Sequence, residues 1–279
     1  MSDRGDPRQM DQFVIVDAHV HYHACFDRGM FFDSTACNSR RIAFQSELDR
    51  PPSTCLLFAD NADQHSLRAL ANAGPSVDGW RVHGTAEESS LVAKREDFRL
   101  YLIAGRQVIT AEGIEVLVLA SDDRIPDRLS LDETLSAAFH AEAIVALPWG
   151  FGKWWFRRGA IVKKAIVAHA RGTDGGELYL GDNSGRARLY PDPAMFQLAR
   201  EMGMRILPGS DPLPIPDHVH TAGRFGCLLQ GQFDDQRPAH SVKRHLSENQ
   251  QQPPTCGWRS GLTKFCRDQM FMQARKFRP

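Results

Sequence analysis

Long apolar runs are missing from this chain: no stretch approaches the roughly 18 consecutive apolar residues that a membrane-crossing helix needs. The opening residues, Met1-Ser-Asp-Arg-Gly-Asp-Pro-Arg-Gln9, are polar and lack the apolar segment of a secretory signal. Cysteine is scarce. The six thiols, at 25, 37, 55, 227, 256 and 266, are scattered and form no Cys-x-x-Cys. They are too few to build a disulfide scaffold across 279 residues, and they read as reduced, mostly buried groups of a cytoplasmic protein. Net charge is absent too, with 34 Lys and Arg against 34 Asp and Glu. Neither nucleic acid nor an anionic membrane is therefore an expected partner.

Several catalytic templates are missing as well. Gly150-Phe-Gly152 has no later glycine to complete a dinucleotide fingerprint. Gly152-Lys153 is followed by Trp154 rather than the Ser or Thr of a phosphate loop. No Gly-x-Ser-x-Gly elbow occurs. Cys256 and Cys266 do not form a zinc-finger spacing with His240 and His245.

What is present is an ordinary globular composition, 42% hydrophobic and 24% charged, long enough for a sizeable core. Residues 1–12 form a polar leader. Apolar runs at 13–19, 54–59 and 101–104 read as strands, and 105–110 and 114–120 as a hairpin about Ala111-Glu112-Gly113. A helix over 130–140 carries a capping box of Ser130 and Glu133. Strand 143–147, helix 159–170, strand 177–180, helix 193–202 and strand 205–208 follow, Gly203 ending the last helix. Such alternation predicts a parallel α/β architecture, a (β/α) barrel over 13–230. Beyond 231 the chain turns Gln-rich and reads as a loosely attached polar extension, 231–279.

The strongest chemical signal is Val16-Asp17-Ala18-His19-Val20-His21-Tyr22-His23. Residues two apart on a strand project to one side, so His19 and His21 aim two imidazoles into one space at a strand end. That is the starting chelate of a borderline-soft divalent metal, with Asp17 or a backbone carbonyl orienting the rings. Asp211, in Leu207-Pro-Gly-Ser-Asp211 past a late strand, would bring a carboxylate to the same mouth.

These motifs resemble the polymerase-and-histidinol-phosphatase (PHP) domain, a distorted TIM-like barrel of the metal-dependent hydrolases. The resemblance covers about 13–230. It continues through Leu57-Phe-Ala-Asp60-Asn61, Ala104-Gly-Arg-Gln107, Val145-Ala-Leu147-Pro-Trp-Gly150, Tyr179-Leu-Gly-Asp182-Asn183 and Asp211-Pro-Leu213. It implies a site of two or three metals, usually manganese, zinc or iron, hydrolysing phosphoesters. The departures are at Asn61, Gln107, Leu147 and Leu213, where the family has histidine or glutamate ligands. What survives is His19, His21 and Asp211, with Asp27 as a fourth candidate, enough for one metal. His23, His65 and His83 are further candidates to compensate. His218 and His220 form a second His-x-His, expected in a surface or lid loop and the best local substitute for the histidine lost at Leu213.

A basic constellation of Arg106, Lys153, Arg157, Arg158, Arg186, Arg188 and Arg224 surrounds the expected mouth, several members next to glycines. Arginine forks in Gly-rich loops suit a small phosphorylated substrate, and Arg186 and Arg224 are the candidate anion clamps beside Asp211. Trp149, Trp154 and Trp155 are candidates for a ring-stacking platform or for packing. The leading expectation is a metal-dependent phosphoesterase with a reduced site. The alternatives are an inactive PHP-derived binding or regulatory protein and a single-metal amidohydrolase-like C–N hydrolase.

Overall fold

The computed structural model describes residues 12–172 and 176–276. The polar leader assigned to 1–12 lies, apart from Gln12, outside the described residues. The chain opens with β1 (Gln12–Val20), α1 (Arg28–Gln45), β2 (Ser53–Phe58) and α2 (Ser66–Asn72). An antiparallel run follows: β3 (Ser76–Val77), β4 (Trp80–Gly84), β5 (Ser90–Arg95) and β6 (Phe98–Ile103). The hairpin β7 (Gly105–Ile109) and β8 (Glu115–Leu119) comes next. Three helix–strand cycles follow: α3 (Leu131–His140) and β9 (Ile144–Pro148), α4 (Arg157–Ala170) and β10 (Leu178–Asn183), α5 (Ala194–Glu201) and β11 (Ile206–Gly209). The chain then forms β12 (Phe225–Gly231), α6 (Pro238–Glu248), β13 (Thr255–Gly257) and α7 (Leu262–Lys276).

These strands make two mixed sheets, not the expected closed barrel. The larger has eight strands in the order β13-β12-β1-β2-β6-β5-β4-β3, the smaller five in the order β11-β10-β9-β8-β7. The parallel expectation holds for β9, β10 and β11, where a helix returns each strand to the same end. It fails over 76–103, where tight turns reverse the chain and make antiparallel neighbours instead, while the hairpin read over 105–120 forms as β7 and β8. The larger sheet consequently ends on free edges at β3 and β13. An isolated bridge of Asp60 with Arg106 and a bond from Asp211 N–H to His19 C=O (2.8 Å) link the sheets, without a continuous ladder.

The two sheets share an apolar layer to which Val14 and Val16 of β1, Leu57 of β2, Leu117 of β8 and Leu207 of β11 all contribute. The outer face of the smaller sheet packs on α3, α4 and α5 through Leu135, Ile166 and Phe196. That of the larger sheet packs on α1 and α2 through Phe31, Phe32 and Leu70. The stretch from 231 is no loose extension: Val242 and Leu246 of α6 are buried in the layer between the sheets, and β13 pairs with β12. Low hydrophobicity hid this because α6 buries only one narrow stripe. No helix among the described residues is long and apolar enough to cross a membrane. The cysteines are unpaired, Cys55, Cys227 and Cys256 buried but Cys25, Cys37 and Cys266 exposed.

Candidate metal centre

Strand β1 lies between β2 and β12 and is buried along nearly its whole length, which explains its unbroken apolar stretch. Its register against β2 shifts between Asp17 and Val20, just where the two histidines emerge. Their rings stand edge to face, centroids 5.0 Å apart, with Nε2 of His19 and Nε2 of His21 separated by 3.1 Å. Asp211 stands two residues beyond β11, in the left-handed region (φ 49°), and turns its carboxylate back toward the pair. Its Oδ1 lies 3.6 Å from His19 Nε2 and 3.7 Å from His21 Nε2. Asn183, at the end of β10, donates from Nδ2 to the other oxygen, Oδ2 (3.2 Å), and to the Trp149 carbonyl (2.9 Å). That bond turns Oδ1 toward the imidazoles.

The protonation states suit a metal. Burial and the neighbouring charges of His19, His23 and Lys153 lower the His21 imidazole to about 3, outweighing Asp211. Burial lowers His19 likewise. Burial alone would raise the Asp211 carboxyl, but His19, Lys153 and His21 hold it below its ordinary range. Two neutral imidazoles and one carboxylate are the forms that ligate. The donor edges of 3.1, 3.6 and 3.7 Å enclose a point about 2.0 Å from each atom, matching the roughly 2.0–2.2 Å of zinc–nitrogen and zinc–oxygen bonds. No other such group of ligating side chains occurs among the described residues.

Asp17 has a different task from the expected one. Its carboxylate accepts the backbone N–H of Ser210 (2.7 Å), Gly223 (2.8 Å) and His19 (3.4 Å), tying β1 to the turns beyond β11 and before β12. Burial raises its carboxyl to about 7 against those hydrogen bonds.

The triangle opens into a cleft of about 570 Å³. Trp149, Phe151 and Trp155 line one side, Phe265 and Met272 of α7 another, and Asn61, Gln107, Glu115 and Lys153 stand among the polar lining. Gln107 lies beside His19, with its Oε1 buried. Lys153 is ion-paired with Glu115 of β8, which has no motif around it to betray a role. His23 stacks on His21 and bonds the Pro212 carbonyl through Nε2 (2.8 Å).

Other expected site residues are elsewhere. Asp27 caps α1, accepting the Met30 N–H (2.8 Å), and is not part of the donor cluster. Arg186 is no anion clamp. Its fork is bonded to Asp182 (2.9 and 2.8 Å), with Asp192 (3.0 Å) and the Tyr190 carbonyl (3.1 Å) using its remaining face. Arg224 does border the cleft, donating to Ser184 Oγ (3.0 Å), the Ser184 carbonyl (3.2 Å) and Ser260 Oγ (2.8 Å). Arg157 and Arg188 point outward, Arg106 pairs with Asp127, and Trp154 packs against Phe196. Leu147 lies in the helix-covered core, whereas Leu213 lines the cleft. His218 also borders the cleft, but its Nδ1 accepts the Leu213 N–H (3.0 Å) and its Nε2 meets Asp268 of α7 (3.1 Å).

No family model matches the chain, and no curated protein matches it. Among solved structures, PsfC from Pseudomonas syringae PB-5123 superposes on 95% of this chain and 98% of its own length, with a TM-score of 0.52 and 12% identity. The two share a fold.

Proposed function

We propose that the chain is a hydrolase of small anionic esters, phosphoesters foremost, that works with one divalent transition metal. The observation that carries this reading is the triangle of His19 Nε2, His21 Nε2 and Asp211 Oδ1, sized for such an ion and open to a cleft. A bound metal supplies a Lewis acid and lowers the pKa of water toward about 7. The chain's own residues set the conditions. His19 and His21 stay neutral through burial, Asp211 stays ionised, and Asn183 fixes which oxygen faces the imidazoles. The aromatic side of the cleft keeps bulk water from the substrate, which strengthens every charge interaction there.

The motif resemblance to PHP hydrolases supports the same chemistry, and Asn61, Gln107 and Leu213, non-ligating or neutral side chains lining the cleft, support a site reduced to one metal. The test is uptake of zinc, manganese or iron by chelator-treated protein, followed by a phosphoester screen. About one equivalent of metal, with hydrolysis that disappears together with the metal in a His19→Ala/His21→Ala double variant, is the expected result. Failure to take up any of the three metals would overturn the reading and leave a cleft kept for binding.

A further inference from the structure

Glu115 and Lys153 face the cleft, and the one-metal reading makes no use of either. Lys153 sits in a turn closed by its own N–H on the Gly150 carbonyl (3.0 Å), with Gly152 in the left-handed region (φ 75°). From there its stem folds back over Gly150. A Cβ at position 150 would collide with the lysine's Cε (2.6 Å) and Cγ (2.8 Å), so only glycine leaves the stem this path. Glu115 holds the far end by an ion pair. Lys153 lines the same cleft as His21 and Asp211 of the donor triangle. A second metal has no comparable donor set among the described residues, and Asn61, Gln107 and Asn183 around the cleft are neutral amides.

We infer that Lys153, positioned by Glu115 and Gly150, supplies the second positive charge of a one-metal site and binds the anionic group of the substrate. An ammonium donates charge-assisted hydrogen bonds to a phosphate oxygen, as a second cation would, without needing ligands of its own. The same charge repels a dication, so this lysine raises anion affinity at some expense to metal affinity. If it served only to neutralise Glu115, its removal would harm the fold and leave anion binding alone.

The inference rests on the one-metal reading, and the experiment separates the two. Zinc is titrated into chelator-treated protein, and inorganic phosphate then into the zinc-loaded protein, for wild type, Lys153→Met, Lys153→Arg and Gly150→Ala. Thermal melts accompany each. Lys153→Met is expected to weaken phosphate binding about ten- to a hundredfold, the loss of one charged hydrogen bond, while zinc binds as tightly or more so. Lys153→Arg should keep most of the affinity. Gly150→Ala keeps the lysine but pushes it aside, and should fall between. Phosphate binding by zinc-loaded Lys153→Met within about twofold of wild type overturns the assignment while the metal reading stands. A wild-type protein that takes up none of zinc, manganese and iron overturns both.

Discussion

Where β11 passes β1, Gly209 runs directly over His19. A Cβ at position 209 would lie 2.5 Å from both the Cβ and the backbone nitrogen of that histidine. Gly209→Ala is therefore expected to push β11 outward, carrying Asp211 with it, and to weaken zinc binding at least about tenfold with a loss of about 1–3 kcal/mol in stability. Zinc titration and urea unfolding of the variant check both. Asp17→Asn tests the neighbouring bonds: an amide NH₂ would face one of the N–H groups the carboxylate now accepts, at a cost of about 1–3 kcal/mol. Acid adds a further signature. His21 and His218, lowered by burial to about 3 and about 4, and His19, lowered likewise, take up protons more readily once unfolded. Stability of the metal-free protein should thus fall as pH drops below about 6.5, reduced but not reversed by Asp17, whose raised carboxyl works in the opposite direction. Urea midpoints at pH 5 and pH 7 decide it, the higher being expected at pH 7.

At this scale the sequence was informative where geometry is local. Two residues apart on a strand is enough to place His19 beside His21. Asp211 was legible because it follows a strand end. Asp27 and Arg186 misled because residue type and neighbourhood say nothing of who else claims a side chain: a helix N-terminus claims Asp27, and Asp182, four residues upstream, claims Arg186. Glu115 and Asn183 could not be singled out as site residues, since what brings them to the cleft is sheet pairing rather than a local pattern.

The elements differ in how firmly they are held. α3 is declared by its capping box, which forms as read, and α4 and α5 by their apolar spacing. The C-terminal elements were less legible because each contributes few apolar residues. α6 is nonetheless anchored in the main core, and Leu246→Ala should cost about 2–5 kcal/mol. α7 contrasts with it. Among the described residues, none of α7 belongs to a hydrophobic cluster; the bonds of Asp268 and Lys264 to His218 and the Phe265–Phe151 contact hold it over the cleft. Ending the chain after Gly261 keeps Ser260 for Arg224 and should leave a folded protein that still binds zinc, with a melting point lower by only a few degrees. Aggregation of that truncated chain would show instead that α7 belongs to the folding core.

For the molecule as a whole, the strand–helix rhythm of 115–209 is real and suggested a uniform architecture. The antiparallel run of 76–103 breaks it, and only the apolar end of β6 was legible there, β3 to β5 being short strands that mix apolar with polar residues. The result is two sheets whose contact is mostly side chain on side chain. The donor triangle spans that division. His19 and His21 come from the eight-stranded sheet and Asp211 from the loop leaving the five-stranded one. An ion there would act as a clasp between two halves that otherwise meet through a shared apolar layer and a few backbone bonds. Its occupancy would then report how often the halves separate: metal at a hundred times its dissociation constant would add about 2.7 kcal/mol to the closed form. The amides of Ser210 and Gly223, both bonded to Asp17 along that line, should exchange with solvent more slowly when zinc is present and faster when it is stripped away.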